Sequence, residues 1–494
     1  MHLEKSEVLG VVVSKDKPPN NIRFIFQIDD KVDVRVGDYV EVPAGKSIIV
    51  GRVTMIKSFS DYFTNPQFIK NQLQLNLPLH ARFPVDMGRW RAAIVRIVGV
   101  IEEGEIHPPY IPPEPGERVY RANVNVLKKI LGLRDDGLFI GTIYGKGDLR
   151  VNLDPIILTR LHLAVLGSTG SGKSYTVGVL IEELLEHNYP VVVIDPHGEY
   201  KTFGTPNDNE NDLELLRQLG LRPRSYTVGV FKPKIDNEKG ITLSFRKLDV
   251  EAIAEMAKLT PVMRDLLMLA YRELKKEKLE LSIENLKTKI EEISNKWGFQ
   301  KRTVISLERN LAILEELGLF ESGTSIVYLI QPGALTVIDL SMDMDEEIRR
   351  IFVGAFLNEL FLARKEGKIP PLLVVVEESH RFAPQDVDTY SKIIMRKIAR
   401  EGRKFGIGLA VVSQRIIGLD KDIISQCGTK ILLRIDSKTD LDYIKQYIEG
   451  AAEERRLIPF LPQGKAMITG LATKYPIIVN IRPRKTKHGG ETIA

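Results

Sequence analysis

The chain has 494 residues, more than one hydrophobic core accommodates, so two or three domains are expected. With 43% hydrophobic and 27% charged residues it has ordinary globular composition, and it lacks both an apolar run of about eighteen residues and the basic-then-apolar order of a signal peptide; a cytoplasmic protein with no membrane partner is expected. A single cysteine, Cys427, excludes an internal disulfide and a cysteine-cluster metal site, and the net charge of +5 permits a nucleic-acid partner without demanding one.

Residues 1–117 alternate short β-rich runs (LGVVVS, IRFIFQI, GDYVEV, SIIVGRVTMI, RAAIVRIVGVI) with turn residues, the pattern of a small β-barrel. Five prolines in HPPYIPPEPGE mark a boundary, and residues 118–150 read as a bridging segment with one helix and the strand-like FIGTIYG. From 151 to 481 the texture changes. Apolar runs recur at LHLAVLG, YPVVVID, SYTVGV, LTVIDL, LLVVVEE, GIGLAVVSQ, KILLRI and KAMITG, continuous rather than alternating, as in parallel strands covered on both faces. The fold class predicted is α/β: a RecA-like doubly wound sheet preceded by the barrel and interrupted by a helical bundle at 248–320. Residues 482–494 read as a basic tail, and such tails are more often disordered than not.

Residues Gly167 to Ser174, GSTGSGKS, follow an apolar strand and open a helix, which is the setting of a phosphate loop. Its glycines let backbone N–H groups face phosphate oxygens, so Gly170, Ser171, Gly172, Lys173, Ser174 and Tyr175 are the expected ATP-binding residues. Lys173 reaches the β/γ-phosphates and the Ser174 hydroxyl takes one Mg²⁺ position. Hydrolysis requires acids from a second strand, and LLVVVEE supplies them: Glu377 toward Mg²⁺ through water, Glu378 to polarise the attacking water. A third strand ends in Ser413 and Gln414, where an amide senses the γ-phosphate or orients water. Asp195, His197 and Glu199 of IDPHGEY make poor zinc geometry and are placed at the nucleotide or subunit edge. Arg381, Arg400, Arg403 and Arg434 are candidates for an arginine acting on a neighbouring subunit's phosphate, and composition does not choose among them. The basic clusters Arg396–Lys404 and Arg482–Lys487 read equally as phosphate or subunit contacts and as solvated faces.

With the phosphate loop, VVVIDPHGEY, LLVVVEESHRF and VVSQR in this order behind a β-barrel, the chain resembles the archaeal HerA family of HerA/FtsK-class motor ATPases along nearly its whole length. The most specific marks are IDPHGEY and the double glutamate followed by SHRF. The resemblance implies a homo-hexameric ring that translocates on or unwinds double-stranded DNA, working with a NurA-type nuclease in double-strand-break end resection. It carries catalytic roles onto Lys173, Ser174, Glu377, Glu378 and Gln414; the family's trans-acting arginine has no unambiguous match here, and Arg381 or Arg403 is the expected choice. DNA-facing basic loops are expected after Tyr200 and around Arg396. The rival readings are a conjugation- or secretion-type coupling ATPase and a scaffold whose assembly ATP regulates. The acid pair argues against the scaffold, since pure binding requires no water-activating acid.

Overall fold

Alternation of inward and outward side chains along Arg23–Ile28, with Phe24, Phe26 and Ile28 buried, sets the register of the first domain. A computed structural model of the chain describes residues 7–14, 18–60, 66–74, 88–234, 240–316, 319–321, 323–448 and 454–489. In it Arg23–Ile28 pairs with both Val8–Val13 and Arg89–Glu102, which closes an antiparallel barrel through Arg118–Arg121, Tyr39–Ala44 and Ser47–Ser60. The barrel therefore runs past the boundary expected at 117. Prolines interrupt the chain there without ending the domain, because Arg118–Arg121 returns between two earlier strands.

Seven parallel strands form the heart of the second domain, in the order Val228–Phe231, Leu335–Asp339, Val191–Asp195, Leu372–Val376, Ile407–Ser413, Leu163–Leu166, Thr429–Leu432. Four antiparallel strands extend it: Lys465–Gly470, Ile477–Ile481, Leu138–Ile143 and Lys146–Leu153. The last two fall in the segment expected to bridge the domains, and they belong to the sheet instead. Their glycines and charges hid a hairpin whose partner strand lies more than three hundred residues later.

Each central strand serves both faces. Leu163, Val165, Val191, Val193, Leu373 and Val375 point to one core, which also holds the helix Lys173–Glu186 and the barrel residues Tyr39, Val50 and Val98. Ala164, Leu166, Val192, Ile194, Val374 and Val376 point to the other, with the helices Glu346–Lys365 and Tyr390–Phe405. The expected insertion lies on this second side as the helices Val250–Met256, Pro261–Lys276, Ile283–Trp297 and Lys301–Glu316. Ion pairing of Lys247 with the buried Glu359, at 2.8 Å, ties its base to the sheet domain. Cys427 is buried, as its surroundings predict, and burial pushes its thiol up to about 12.

The expected basic tail is the main departure. Arg482, Arg484, Lys485 and Thr486 are buried against the helix Lys173–Glu186. Arg482 meets Glu182 at 2.8 Å and Glu183 at 2.7 Å, while Lys485 meets Glu183 at 2.9 Å and Glu186 at 2.7 Å. Thr486 donates its backbone N–H to Glu182 at 2.8 Å. The reason is electrostatic: Glu182 and Glu183 lie on the inner side of that helix, and buried carboxylates require partners. Residues 490–494 lie outside the described residues. Arg482→Ala leaves Glu182 and Glu183 short of a cation and is expected to cost about 3–5 kcal/mol, read as a shifted midpoint in urea unfolding; a shift under about 1 kcal/mol contradicts the buried pairing.

Candidate nucleotide site

Strand register brings the functional side chains to one edge. Leu166 lies opposite Ser413, Val376 opposite Val411, and Asp195 opposite Asp339, so these strands end together at their carboxyl termini. The strand ending in Ser413 sits between the strand leading to the phosphate loop and the strand leading to the acids. At roughly 4.8 Å per strand this separates loop and acids by about 10 Å, room for a phosphoryl group and a water.

The loop itself is shaped for close backbone approach. Gly170 and Gly172 have φ of 72° and 99°, which a side chain disfavours, and Gly172 caps the helix that begins at Lys173. Lys173 is nearly buried and donates to the Ser168 carbonyl at 3.0 Å. Burial lowers its pKa, and the charges of Glu378, Glu377 and Glu199 oppose that shift. Ser171 donates to the same carbonyl at 2.7 Å, and the Thr169 hydroxyl donates to Gln414 Oε1. The loop and the third strand are thus already in contact. Ser174 occupies the first turn of the helix, as its expected role requires. Tyr175 turns elsewhere: its hydroxyl donates to Asp212 at 2.9 Å and accepts from the Arg484 N–H at 2.9 Å, leaving only its backbone toward the loop.

Glu377 and Glu378 differ in environment although adjacent. Glu377 is 5% exposed and accepts a hydrogen bond from the Tyr200 hydroxyl. Burial pushes its carboxyl up to about 8 against that bond, helped by the negative charges of Glu199, Glu378 and Asp195. Glu378 adopts φ 47°, an unusual backbone state for glutamate that is held by the Arg381 N–H donating to its carbonyl at 2.8 Å. Burial raises its pKa while Lys173 lowers it, and among the described residues its Oε2 is buried without a hydrogen bond. His380 Nδ1 stands 3.2 Å from that oxygen, and 3.1 Å from Ser413 Oγ. Ser379 fastens the two strands by donating to the Val376 carbonyl at 2.6 Å and accepting from the Val412 N–H at 3.1 Å.

Asp195 is spent on its own loop, accepting from the N–H groups of His197, Gly198 and Tyr200, and His197 is exposed. Of the IDPHGEY segment, Glu199 contributes charge near Lys173, and Tyr200 makes the contact that spacing did not reveal. Arg381 is held by Glu346, with Nε at 3.1 Å. Arg403 is exposed near the end of its helix, just before the strand that starts at Ile407, so it lies at the sheet edge away from its own loop. Arg400 pairs with Asp422 at 3.0 Å, Arg434 with Asp436 at 3.1 Å, and Arg396 with Asp420 at 2.7 Å. Arg396 and Arg400 of that cluster are therefore paired within the chain. The segment after Tyr200 packs against residues 482–487, the C-terminal strap over the helix Lys173–Glu186, with Thr202 donating to the Lys487 carbonyl at 2.8 Å.

Residues 138–360 match the family model described as Helicase HerA, central domain, which begins at the first residue of the sheet's antiparallel hairpin. The chain is 32% identical to the DNA double-strand break repair helicase HerA of Pyrococcus furiosus over 94% of this chain and 90% of that protein. It belongs to the HerA family. The HerA of Sulfurisphaera tokodaii is 30% identical over 92% of this chain and 90% of its own. Membership makes this chain an ATP-hydrolysing enzyme of the helicase and translocase class. Two solved structures share its fold: VirB4 of Thermoanaerobacter pseudethanolicus, with TM-score 0.51 and 17% identity over 70% of this chain and 96% of that one, and the plasmid coupling protein TrwB with a GTP analogue, with TM-score 0.50 and 16% identity over 75% and 95%. No described helix of this HerA-family chain is long and apolar enough to cross a membrane.

Glu377 gives this site a pH signature. Its folded pKa of about 8 exceeds the ordinary 4.5, so between those values the folded state holds the extra proton, and the stability of the nucleotide-free protein falls as pH rises through that window. Glu377→Gln removes this loss, so denaturation at about pH 5 and about pH 9 should show the gap moving in the variant's favour at the higher pH. Parallel pH profiles contradict the shifted carboxyl.

Proposed function

We propose that this chain is an ATP-driven translocase or helicase on double-stranded DNA, assembled as a homo-hexamer and serving double-strand-break repair with a NurA-type nuclease in end resection. The observation that carries the reading is the meeting, at one sheet edge, of a complete phosphate loop, the acids Glu377 and Glu378, and Gln414 in contact with loop residue Thr169. Relatives named as double-strand-break repair helicases, aligned over about nine-tenths of their length, favour this reading over a coupling ATPase, for which only the fold speaks.

The residues divide the work as follows. Lys173 exchanges its contact with the Ser168 carbonyl for phosphate oxygens, and Gly170, Ser171, Gly172 and the backbone of Tyr175 cradle them. Glu378, whose Oε2 lacks a hydrogen bond, takes a proton from the attacking water, and Gln414 orients that water or senses the γ-phosphate. Ser174 and, through water, Glu377 fit a Mg²⁺ ion, since a buried acid whose charge is disfavoured is what a cation compensates. When bound, Mg²⁺ neutralises charge on the phosphate oxygens. An arginine from the next subunit completes the site: Arg403 is exposed for such reach, and Arg381 can act only by leaving Glu346. The barrel serves ring assembly or nuclease docking.

Lys173→Ala is expected to abolish ATP binding, and Glu378→Gln to keep binding while turnover falls by roughly 100-fold or more. ATPase assays with and without linear duplex DNA test the motor: absence of stimulation by DNA counts against it. Native mass spectrometry with ATP and duplex present reads the ring, and a monomer under those conditions removes the trans-acting arginine from the scheme.

A further inference from the structure

We infer that His380 is a positioning residue that decides whether the Glu378 carboxylate is held in place to accept a proton from water, and that Ser413, beside Gln414, sets the position of His380. The inference rests on the reading of Glu378 as the water-activating acid.

The imidazole sits between the second and third strands with one nitrogen facing two acceptors. Nδ1 is 3.1 Å from Ser413 Oγ and 3.2 Å from Glu378 Oε2, but only the first contact is aligned as a hydrogen bond. The Ser413 hydroxyl donates its own proton to the Arg415 carbonyl at 3.0 Å and accepts the Arg415 N–H at 3.1 Å. His380 is therefore the donor to Ser413, through an Nδ1–H tautomer. Burial and the nearby Arg415 and Arg381 hold the ring neutral, with a pKa lowered to about 4, so Nδ1 has a single proton to place.

One proton and two acceptors make a two-position device. With Nδ1–H on Ser413, Glu378 Oε2 keeps no partner and the carboxylate is not fixed in line for a water. A small rotation of the ring moves the bond to Glu378 Oε2, which fixes that carboxylate and leaves its other oxygen to take the proton of the water. Ser413 is well placed to bias the choice: it ends the third strand directly before Gln414, and Gln414 is bonded to Thr169 of the phosphate loop. Phosphate arriving at the loop competes for that bond and displaces Gln414, and the displacement passes through one peptide to Ser413. The backbone of Glu378, at φ 47°, keeps the carboxylate within reach of both His380 and the loop.

The test is steady-state ATP hydrolysis by the full chain with duplex DNA, separating kcat from KM. His380→Ala should lower kcat by roughly 10- to 100-fold, the range for residues that orient a catalytic group, with KM and thermal midpoint near wild type. His380→Asn, whose amide overlies Nδ1, should recover most of kcat; His380→Gln, whose amide overlies Nε2, should not. An unchanged kcat in His380→Ala overturns the inference, as does rescue by glutamine equal to that by asparagine, or a loss shared by kcat, KM and thermal midpoint. Combining His380→Ala with Glu378→Gln separates the two readings. A dead Glu378→Gln enzyme that His380→Ala slows no further supports both. A dead Glu378→Gln enzyme beside a fully active His380→Ala enzyme overturns only the role of His380. An active Glu378→Gln enzyme overturns the water-activating assignment and this inference with it.

Discussion

Buried carboxylates at the two ends of one helix impose opposite demands on this fold. The helix Lys173–Glu186 directs its N-terminal N–H groups at the place where phosphate binds, and it carries Glu182, Glu183 and Glu186 near its C-terminal end. Acids there oppose the helix dipole and lose water, so they are tolerable only with cations at hand. Arg482 and Lys485 supply those cations, and their charge also suits the negative end of the dipole. At the other end Glu377 and Glu378 are met only in part, by a tyrosine hydroxyl and by an imidazole that is not aligned. Full pairing holds the structural acids still, whereas partial pairing leaves Glu377 and Glu378 able to take another partner, as their proposed roles require.

Strand order sets the dimensions of the chemistry. By placing Ile407–Ser413 between the loop strand and the acid strand, the sheet keeps Lys173 and Glu378 on opposite sides of a gap instead of in a direct ion pair. The same intervening strand carries Ser413 and Gln414, so the group that touches the loop and the group that touches His380 are neighbours in sequence. Ser379, bonded to both the Val376 carbonyl and the Val412 N–H, keeps the gap from opening.

Much of this was legible in the residues. Continuous apolar runs ending in a polar pair identified the central strands, because parallel strands buried on both faces have no other place for charge than their ends. The phosphate loop is read from its own glycine and lysine spacing, Glu377, Glu378 and Gln414 from those strand ends, and the structure brings all four to one edge. The strand-like FIGTIYG is legible, but the place of the hairpin Leu138–Leu153 in the sheet is not, because it depends on Ile477–Ile481, a non-local partner. The C-terminal strap was misread for a related reason: RPRKTK looks like a solvated cluster until Glu182, Glu183 and Glu186 are known to face it. Those acids were present in LIEELLE, and three glutamates within an apolar helix are themselves a request for cations. Tyr200 and His380 were visible as motif letters, but their roles follow from which strand ends lie side by side.

The strap also bears on when the enzyme comes into being. A chain made from its N-terminus folds domain by domain as it emerges, and the barrel can close as soon as Arg118–Arg121 is available. The phosphate-loop helix must wait, for among the described residues its inner carboxylates find their cations at Arg482, Arg484 and Lys485, about three hundred residues later. Nucleotide-binding competence is thus tied to synthesis at least as far as Lys485. A chain that lacks Arg482 and Lys485 keeps the loop sequence but has an unneutralised acidic helix beneath it, which works against such a fragment capturing ATP.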